Sequence, residues 1–198
     1  MTSQANHGKS LESLIIRSNT TYRELGQAVI EKQEVAMGYR SNRKTHKIER
    51  AFHKHKSTVD FIGRYGSVPV AFDAKLVSES ASKKVERIRW DTVQPHQATF
   101  LDDWMTGPNA SGATGISFIV ASFDLKATFV VAWHFWRHFR ELAERKECIA
   151  SCDEMMLRQA GEPGRGFRSA ALVEHNSKVD LDYLAAVKLV YPGAMFDR

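Results

Sequence analysis

The stretch from Ser57 to Lys75 constrains this chain more than any other. Two apolar arms, Ser57-Thr58-Val59-Asp60-Phe61-Ile62-Gly63 and Val68-Pro69-Val70-Ala71-Phe72-Asp73-Ala74-Lys75, flank the turn-forming Gly63-Arg64-Tyr65-Gly66-Ser67. β-Branched and aromatic residues bounded by glycine read as a β-hairpin. Side chains alternate between faces along a strand. Val68, Val70 and Phe72 therefore point one way and Asp73 and Lys75 the other, while Thr58 and Asp60 share a face of the first arm. Antiparallel pairing of the arms then brings Asp60, Asp73 and Lys75 to one spot.

Two carboxylates and an ammonium suit phosphodiester hydrolysis. Carboxylates are hard oxygen ligands for Mg²⁺, which keeps several waters and shares its shell with a substrate phosphate. The metal acidifies water and neutralises phosphate charge, and a lysine orients that water or stabilises the developing negative charge. An acid-x-Lys pair alone is common in amphipathic strands. The second acid, one hairpin upstream, is what gives the pattern its specificity.

The order of acid, hairpin and acid-Ala-Lys resembles the PD-(D/E)xK nuclease superfamily, and within it the RecU-type Holliday junction resolvases, over nearly the full length. Asn6-His7-Gly8-Lys9-Ser10-Leu11-Glu12 is similar to the family's opening Asn-Arg-Gly segment and first helix, Thr58-Val59-Asp60-Phe61-Ile62-Gly63 to its Thr-x-Asp-x-x-Gly strand, and Phe72-Asp73-Ala74-Lys75 to its Phe-Glu-Ala-Lys. His96-Gln97 matches a His-Gln pair that opens a helix, followed by the strand Gly115-Ile116-Ser117-Phe118-Ile119-Val120. Phe135-Trp136 and Asp182-Tyr183-Leu184 also find counterparts. Two positions depart from the pattern: Asp73 stands where the family usually has Glu, and His7 where it usually has Arg.

The resemblance implies an α/β restriction-endonuclease-like core, a central mixed sheet flanked by helices with a projecting basic stalk. It implies Mg²⁺-dependent resolution of four-way DNA junctions by paired symmetric nicks, carried out by a homodimer, with Mn²⁺ as an alternative metal. Asp60, Asp73 and Lys75 take the catalytic positions, and Thr58, Asp60, Asp73 and Gln97 the metal site. The family's N-terminal arm engages the junction, which brings in His7 and Lys9. Recombinase or branch-migration proteins are partners of relatives.

Charge supports a polyanionic partner. The 198 residues carry a formal net charge of +5 with a pI near 9.2, and a basic excess favours nucleic acid. It is concentrated between Tyr39 and Lys56, where Arg40, Arg43, Lys44, Lys47, Arg50, Lys54 and Lys56 face one acid, Glu49, with Tyr39 and Phe52 interleaved. This segment, about 36–56, abuts the hairpin and is where the family carries its stalk. Lysine and arginine displace condensed counterions from DNA, so we read the segment as DNA-contacting. His53 and His55 lack companion carboxylates or cysteines at ligand spacing and belong to the same basic surface.

The chain is long enough to bury a sizeable core, and residues 10–198 are expected to form one nuclease domain behind a flexible polar arm at 1–9. Ser10 is a candidate N-cap for a helix through Leu11, Leu14 and Ile15. Glu12 then lies in its first turn, either complementing the helix dipole or adding an acid to the metal site. Ala28-Val29-Ile30 opens the first strand, Gln94-Pro95-His96 a helix, and Ile116–Phe123 and Ala127–Val131 two further strands joined at Asp124-Leu125-Lys126. Gln97, Leu101 and Trp104 share one side of the Pro95 helix, where Gln97 makes either a helix-start hydrogen bond or a metal-site contact. Trp133–Lys146 reads as a helix whose Phe135, Trp136 and Phe139 are core. Ser151 with Glu154 fits a capping box, and Leu181–Val190 is the last helix.

Other chemistry has little support. His134 and His138 with Cys148 and Cys152 can be drawn as a zinc site but lack the usual order and spacing. No Walker A loop or dinucleotide fingerprint is present. No apolar stretch approaches the ~20 residues that span a membrane, and no secretory signal opens the sequence, so a cytoplasmic protein is expected. Two rival readings are a nuclease of the same chemistry acting on another DNA structure, and a junction-binding protein without cleavage, should the shorter Asp73 spoil the metal site.

Overall fold

The computed structural model describes residues 4–34, 37–41, 48–53, 58–78, 86–106, 115–162, 168–174, 178–194 and 196, and the side chains of all of these except 4–10, 37–41 and 48–53. Its centre is a six-stranded mixed sheet. The strands are β1 (Ala28–Lys32), β4 (Phe61–Tyr65), β5 (Val68–Val77), β7 (Ile116–Phe123), β8 (Ala127–Ala132) and β10 (Ala170–Leu172), in the spatial order β1-β4-β5-β7-β8-β10. β5 and β7 run parallel and every other neighbouring pair is antiparallel. The parallel pair is central. All eight residues of β7 are buried, the composition of a strand covered on both faces.

Strand alternation divides the core into two layers. Val70, Phe72, Phe118, Val120 and Val130 face α1 (Gln4–Glu24) and α5 (Tyr183–Val190). Ala71, Ile119, Ala121 and Val131 face α2 (Pro95–Thr106), α3 (Trp133–Glu144) and α4 (Glu154–Ala160). In the first layer Phe72 stacks between Phe61 and Phe118, with centroids 4.9 and 4.6 Å away. Such pairs contribute about 0.5–1.5 kcal/mol each beyond area burial, and they lock the register of three neighbouring strands. Trp136 is buried in the second layer, with Phe135 and Phe139 packed against it, so these aromatics are core as expected.

Local chemistry differs from the sequence expectation at several points. The turn between β4 and β5 is only Gly66-Ser67, with Gly66 at φ +55. Gly63 is inside β4, where a Cβ would lie 2.1 Å from the Val29 carbonyl oxygen, so it serves close approach of β1 and not the turn. Helix α1 begins at Gln4. Ser10 is therefore within the helix, because added turns are favoured once a helix is nucleated, and Glu12 is too far along to meet the helix dipole. Ser151 and Cys152 form β9, paired with β6 (Ile88–Arg89). Asp153 caps α4 instead, its side chain accepting from the Met156 amide.

Helix α5 is fastened to α1 by polar contacts. Ser18 Oγ accepts from the Leu181 amide at 3.0 Å, and the Tyr22 hydroxyl donates to Asp182 Oδ1 at 2.9 Å. Asp182 is also the N-cap of α5, accepting from the Ala185 amide. The basic segment contains β2 (Met37–Ser41) and β3 (Ile48–His53), which form their own antiparallel two-stranded sheet with Arg40 opposite Arg50. Among the described residues no helix is long and apolar enough to cross a membrane.

Candidate active site

The register of the β4–β5 hairpin builds the site. Phe61 pairs with Phe72, so Asp60 and Asp73 follow on the two arms, both on the face opposite the phenylalanines. Asp60 is held at two points. Its Oδ2 accepts from the Ala74 amide at 2.9 Å, and its carbonyl oxygen accepts from the Gln33 amide, just past β1, at 2.7 Å. The first contact crosses the hairpin, so Asp60 is tied to the strand that carries Asp73 and Lys75.

Asp73 is fully buried. Its Oδ1 accepts from Gln97 Nε2 at 3.0 Å, and the Lys75 ammonium, two residues along the same strand, contacts Oδ2. Oδ2 is thus a buried carboxylate oxygen that faces the Lys75 ammonium and no neutral hydrogen-bond donor. Burial pushes the Asp73 carboxyl up to about 8. The Lys75 charge opposes this and the nearby Asp60 reinforces it. A carboxyl kept from ionising by desolvation and a like neighbour, inside a charged cluster, marks a functional-site candidate.

These groups fit a hard divalent cation. Asp73 supplies an oxygen with unused lone pairs, and Asp60 supplies the second carboxylate. A cation there would offset the cost of ionising Asp73. Among the described residues no three His, Cys, Asp or Glu side chains gather as ligands, so the rest of such a shell falls to neutral oxygens, water and substrate, the manner in which Mg²⁺ is commonly held.

The remaining expected residues are placed unevenly. Gln97 meets Asp73, and its Oε1 also accepts from the Gln94 amide at 2.9 Å. Thr58 is exposed, two residues before Asp60. Glu12 pairs with Lys32. Lys32 lies opposite Phe61, on the sheet face of the phenylalanines, so Glu12 is not brought to Asp73. Arg40 and Arg50 are cross-strand partners in the β2–β3 sheet. His7 and Lys9 are in α1, with their side chains outside the description, and Arg43, Lys44, Lys47, Lys54 and Lys56 lie outside the described residues. Cys152 is buried with its thiol pushed up to about 12 by desolvation, and its Sγ faces the Ile88 carbonyl, an environment unlike that of a thiolate ligand.

One element of the site was not anticipated, the Ala74 amide that anchors Asp60, whereas the Gln94 amide that anchors Gln97 is the helix-start hydrogen bond expected above. The first carries no side-chain signal. The second was readable, because a Gln three residues after a helix N-cap is spaced to reach back to the cap's own amide.

Comparison with known proteins identifies the family. The family model for recombination protein U matches residues 6–188. A curated relative, Holliday junction resolvase RecU of Streptococcus uberis, is 30% identical over 131 residues, covering 63% of this chain and 59% of the relative. The chain thus aligns with less than two thirds of that relative's length. Because the family match takes in nearly the whole sequence, including both layers of the fold and the hairpin with its acids, the chain belongs to the recombination protein U family.

Proposed function

We propose that this chain is a structure-specific endodeoxyribonuclease that resolves four-way DNA junctions by paired symmetric nicks, with Mg²⁺ as cofactor and Mn²⁺ able to replace it. The observation that carries this is the convergence of Asp60, Asp73 and Lys75 at one end of the hairpin, with the buried Asp73 carboxyl set against the Lys75 ammonium. Family membership and the name of the Streptococcus uberis relative support the substrate.

Asp60 and Asp73 would hold the metal, with Thr58 near the same edge. Bound there, Mg²⁺ supplies charge neutralisation at the phosphate and a more acidic water. Lys75 comes from the same strand as Asp73, and its side chain is 17% exposed. It can therefore meet the scissile phosphate while staying beside the carboxylates, orienting the attacking water and stabilising charge on the phosphoryl oxygens as it builds. Asp73 would hold such an ion in its ionised form, which its burial otherwise disfavours.

DNA binding is assigned to the basic β2–β3 segment. Like charges directly opposite on paired strands disfavour each other, so the Arg40–Arg50 register is better suited to a bound polyanion than to free solvent. A homodimer follows from the task, since two symmetry-related strands require two related active sites and a two-fold supplies them. Recombinase and branch-migration proteins are proposed partners, and the cytoplasm the proposed location.

The test is cleavage of a labelled mobile four-way junction beside a linear duplex of the same sequence, in Mg²⁺. Paired nicks at symmetric positions on the junction alone are expected. Equal cutting of the duplex would remove the junction specificity, and tight junction binding without cutting in any divalent metal would remove the nuclease.

A further inference from the structure

We infer that Gln97 is a positioning residue: its amide is fixed by the start of α2 so that it donates to Asp73 and holds that carboxylate in place, and it does not bind the metal through its own oxygen. This rests on the nuclease reading of Asp60 and Asp73 and assigns Gln97 a different task within that site.

The geometry of α2 carries the inference. The helix begins at Pro95, so Gln94 is the N-cap and Gln97 the third helical residue. A glutamine at that position reaches back to the N-cap amide and satisfies one of the donors that a helix start leaves open. Gln97 does this, with Oε1 accepting from the Gln94 amide at 2.9 Å. A primary amide has one oxygen and one nitrogen. With the oxygen turned to the helix start, the nitrogen is turned the other way, to Asp73 Oδ1 at 3.0 Å. Pro95 removes one competing amide and stiffens the entry to the helix, and Gln97 is 8% exposed, so water does not compete for either end.

The consequence is a division of labour between the Asp73 oxygens. Oδ1 is committed to Gln97, and Oδ2 faces the Lys75 ammonium. Gln97 thereby leaves Oδ2, beside the Lys75 ammonium, as the oxygen turned toward the rest of the site. An amide nitrogen has no lone pair to offer a metal. For Oε1 to become a ligand, Gln97 would have to give up both of its hydrogen bonds and leave two buried groups unpaired, which is costly.

Amide exchange in the wild-type protein tests this directly. The Gln94 backbone N–H reports where Gln97 Oε1 points, and its exchange is to be followed by NMR in EDTA and at saturating Mg²⁺, together with Gln97→Ala and Gln97→Glu. The inference expects exchange at least roughly tenfold slower than in Gln97→Ala, the factor a single hydrogen bond supports, and unchanged by Mg²⁺. Gln97→Glu keeps an acceptor for the Gln94 amide but presents an oxygen to Asp73. It should therefore retain the protection and lose junction cleavage as Gln97→Ala does. Loss of Gln94 protection on adding Mg²⁺, or wild-type cleavage by Gln97→Glu, would overturn the assignment. A protein that cuts no junction would defeat the nuclease reading instead, while the exchange data would still report the Gln97 bond.

Discussion

Metal binding by this site should be strongly linked to pH, because Asp73 must ionise to bind a cation and its burial holds the carboxyl up to about 8. An ordinary aspartate would be ionised throughout the neutral range. Here, a group titrating near 8 is about 99% protonated at pH 6, about 90% at pH 7 and about 10% at pH 9. If only the ionised form binds, apparent Mg²⁺ affinity rises roughly tenfold between pH 6 and 7, and about a hundredfold between pH 6 and its plateau above pH 9. About 0.9 proton is released per ion bound at pH 7 and about 0.1 at pH 9. Isothermal titration calorimetry in buffers of different ionisation enthalpy measures both quantities. Asp60→Asn removes a charge that raises the Asp73 value, so the step should move to lower pH even as affinity weakens. The same shift has a stability consequence of opposite sign. The folded metal-free chain retains a proton that the unfolded chain releases, so it loses stability as pH rises from about 4 toward about 8. Affinity flat from pH 6 to 9, with no proton released, would refute the account of Asp73.

Three further outcomes follow from the fold. Gly63→Ala places a Cβ 2.1 Å from the Val29 carbonyl. Forcing β1 off β4 should cost about 3 kcal/mol, seen as a melting temperature lower by roughly 6–12 °C and a weaker hold on Asp60. Asp182→Ala removes the α5 N-cap and the acceptor for Tyr22. It should cost about 1–2 kcal/mol by urea denaturation, with junction cleavage per folded molecule unchanged. Arg40→Ala with Arg50→Ala should weaken junction binding and lower the slope of log affinity against log salt by up to about two, measured by fluorescence anisotropy. An unchanged slope would take the β2–β3 sheet out of the DNA contact.

Much of the site was legible because it depends on strand parity. Once Val70 and Phe72 are assigned to the core, Asp73 and Lys75 must face the other way. The antiparallel hairpin then returns Asp60 to them. The same parity separates Glu12 from the site, through its partner Lys32 opposite Phe61, which was not legible because the partner of a helical acid is a tertiary fact. Caps were the least readable feature. Ser10 and Ser151 both carry the right side chain, but α1 extends upstream of the first and strand pairing with β6 claims the second. Gln97 makes the helix-start hydrogen bond of its first reading, and that bond turns its other end to Asp73.

The most direct test of the proposed hydrolytic site is single-turnover cleavage of a labelled four-way junction by wild type and Lys75→Met, with junction binding measured on the same samples. Methionine keeps the apolar stem of Lys75 and removes the charged end. The account predicts wild-type binding with cleavage reduced by at least about a hundredfold, the scale of losing one group that stabilises transition-state charge, and no cleavage by either protein in EDTA. Cleavage by Lys75→Met at the wild-type rate, or cleavage that persists in EDTA, would contradict it.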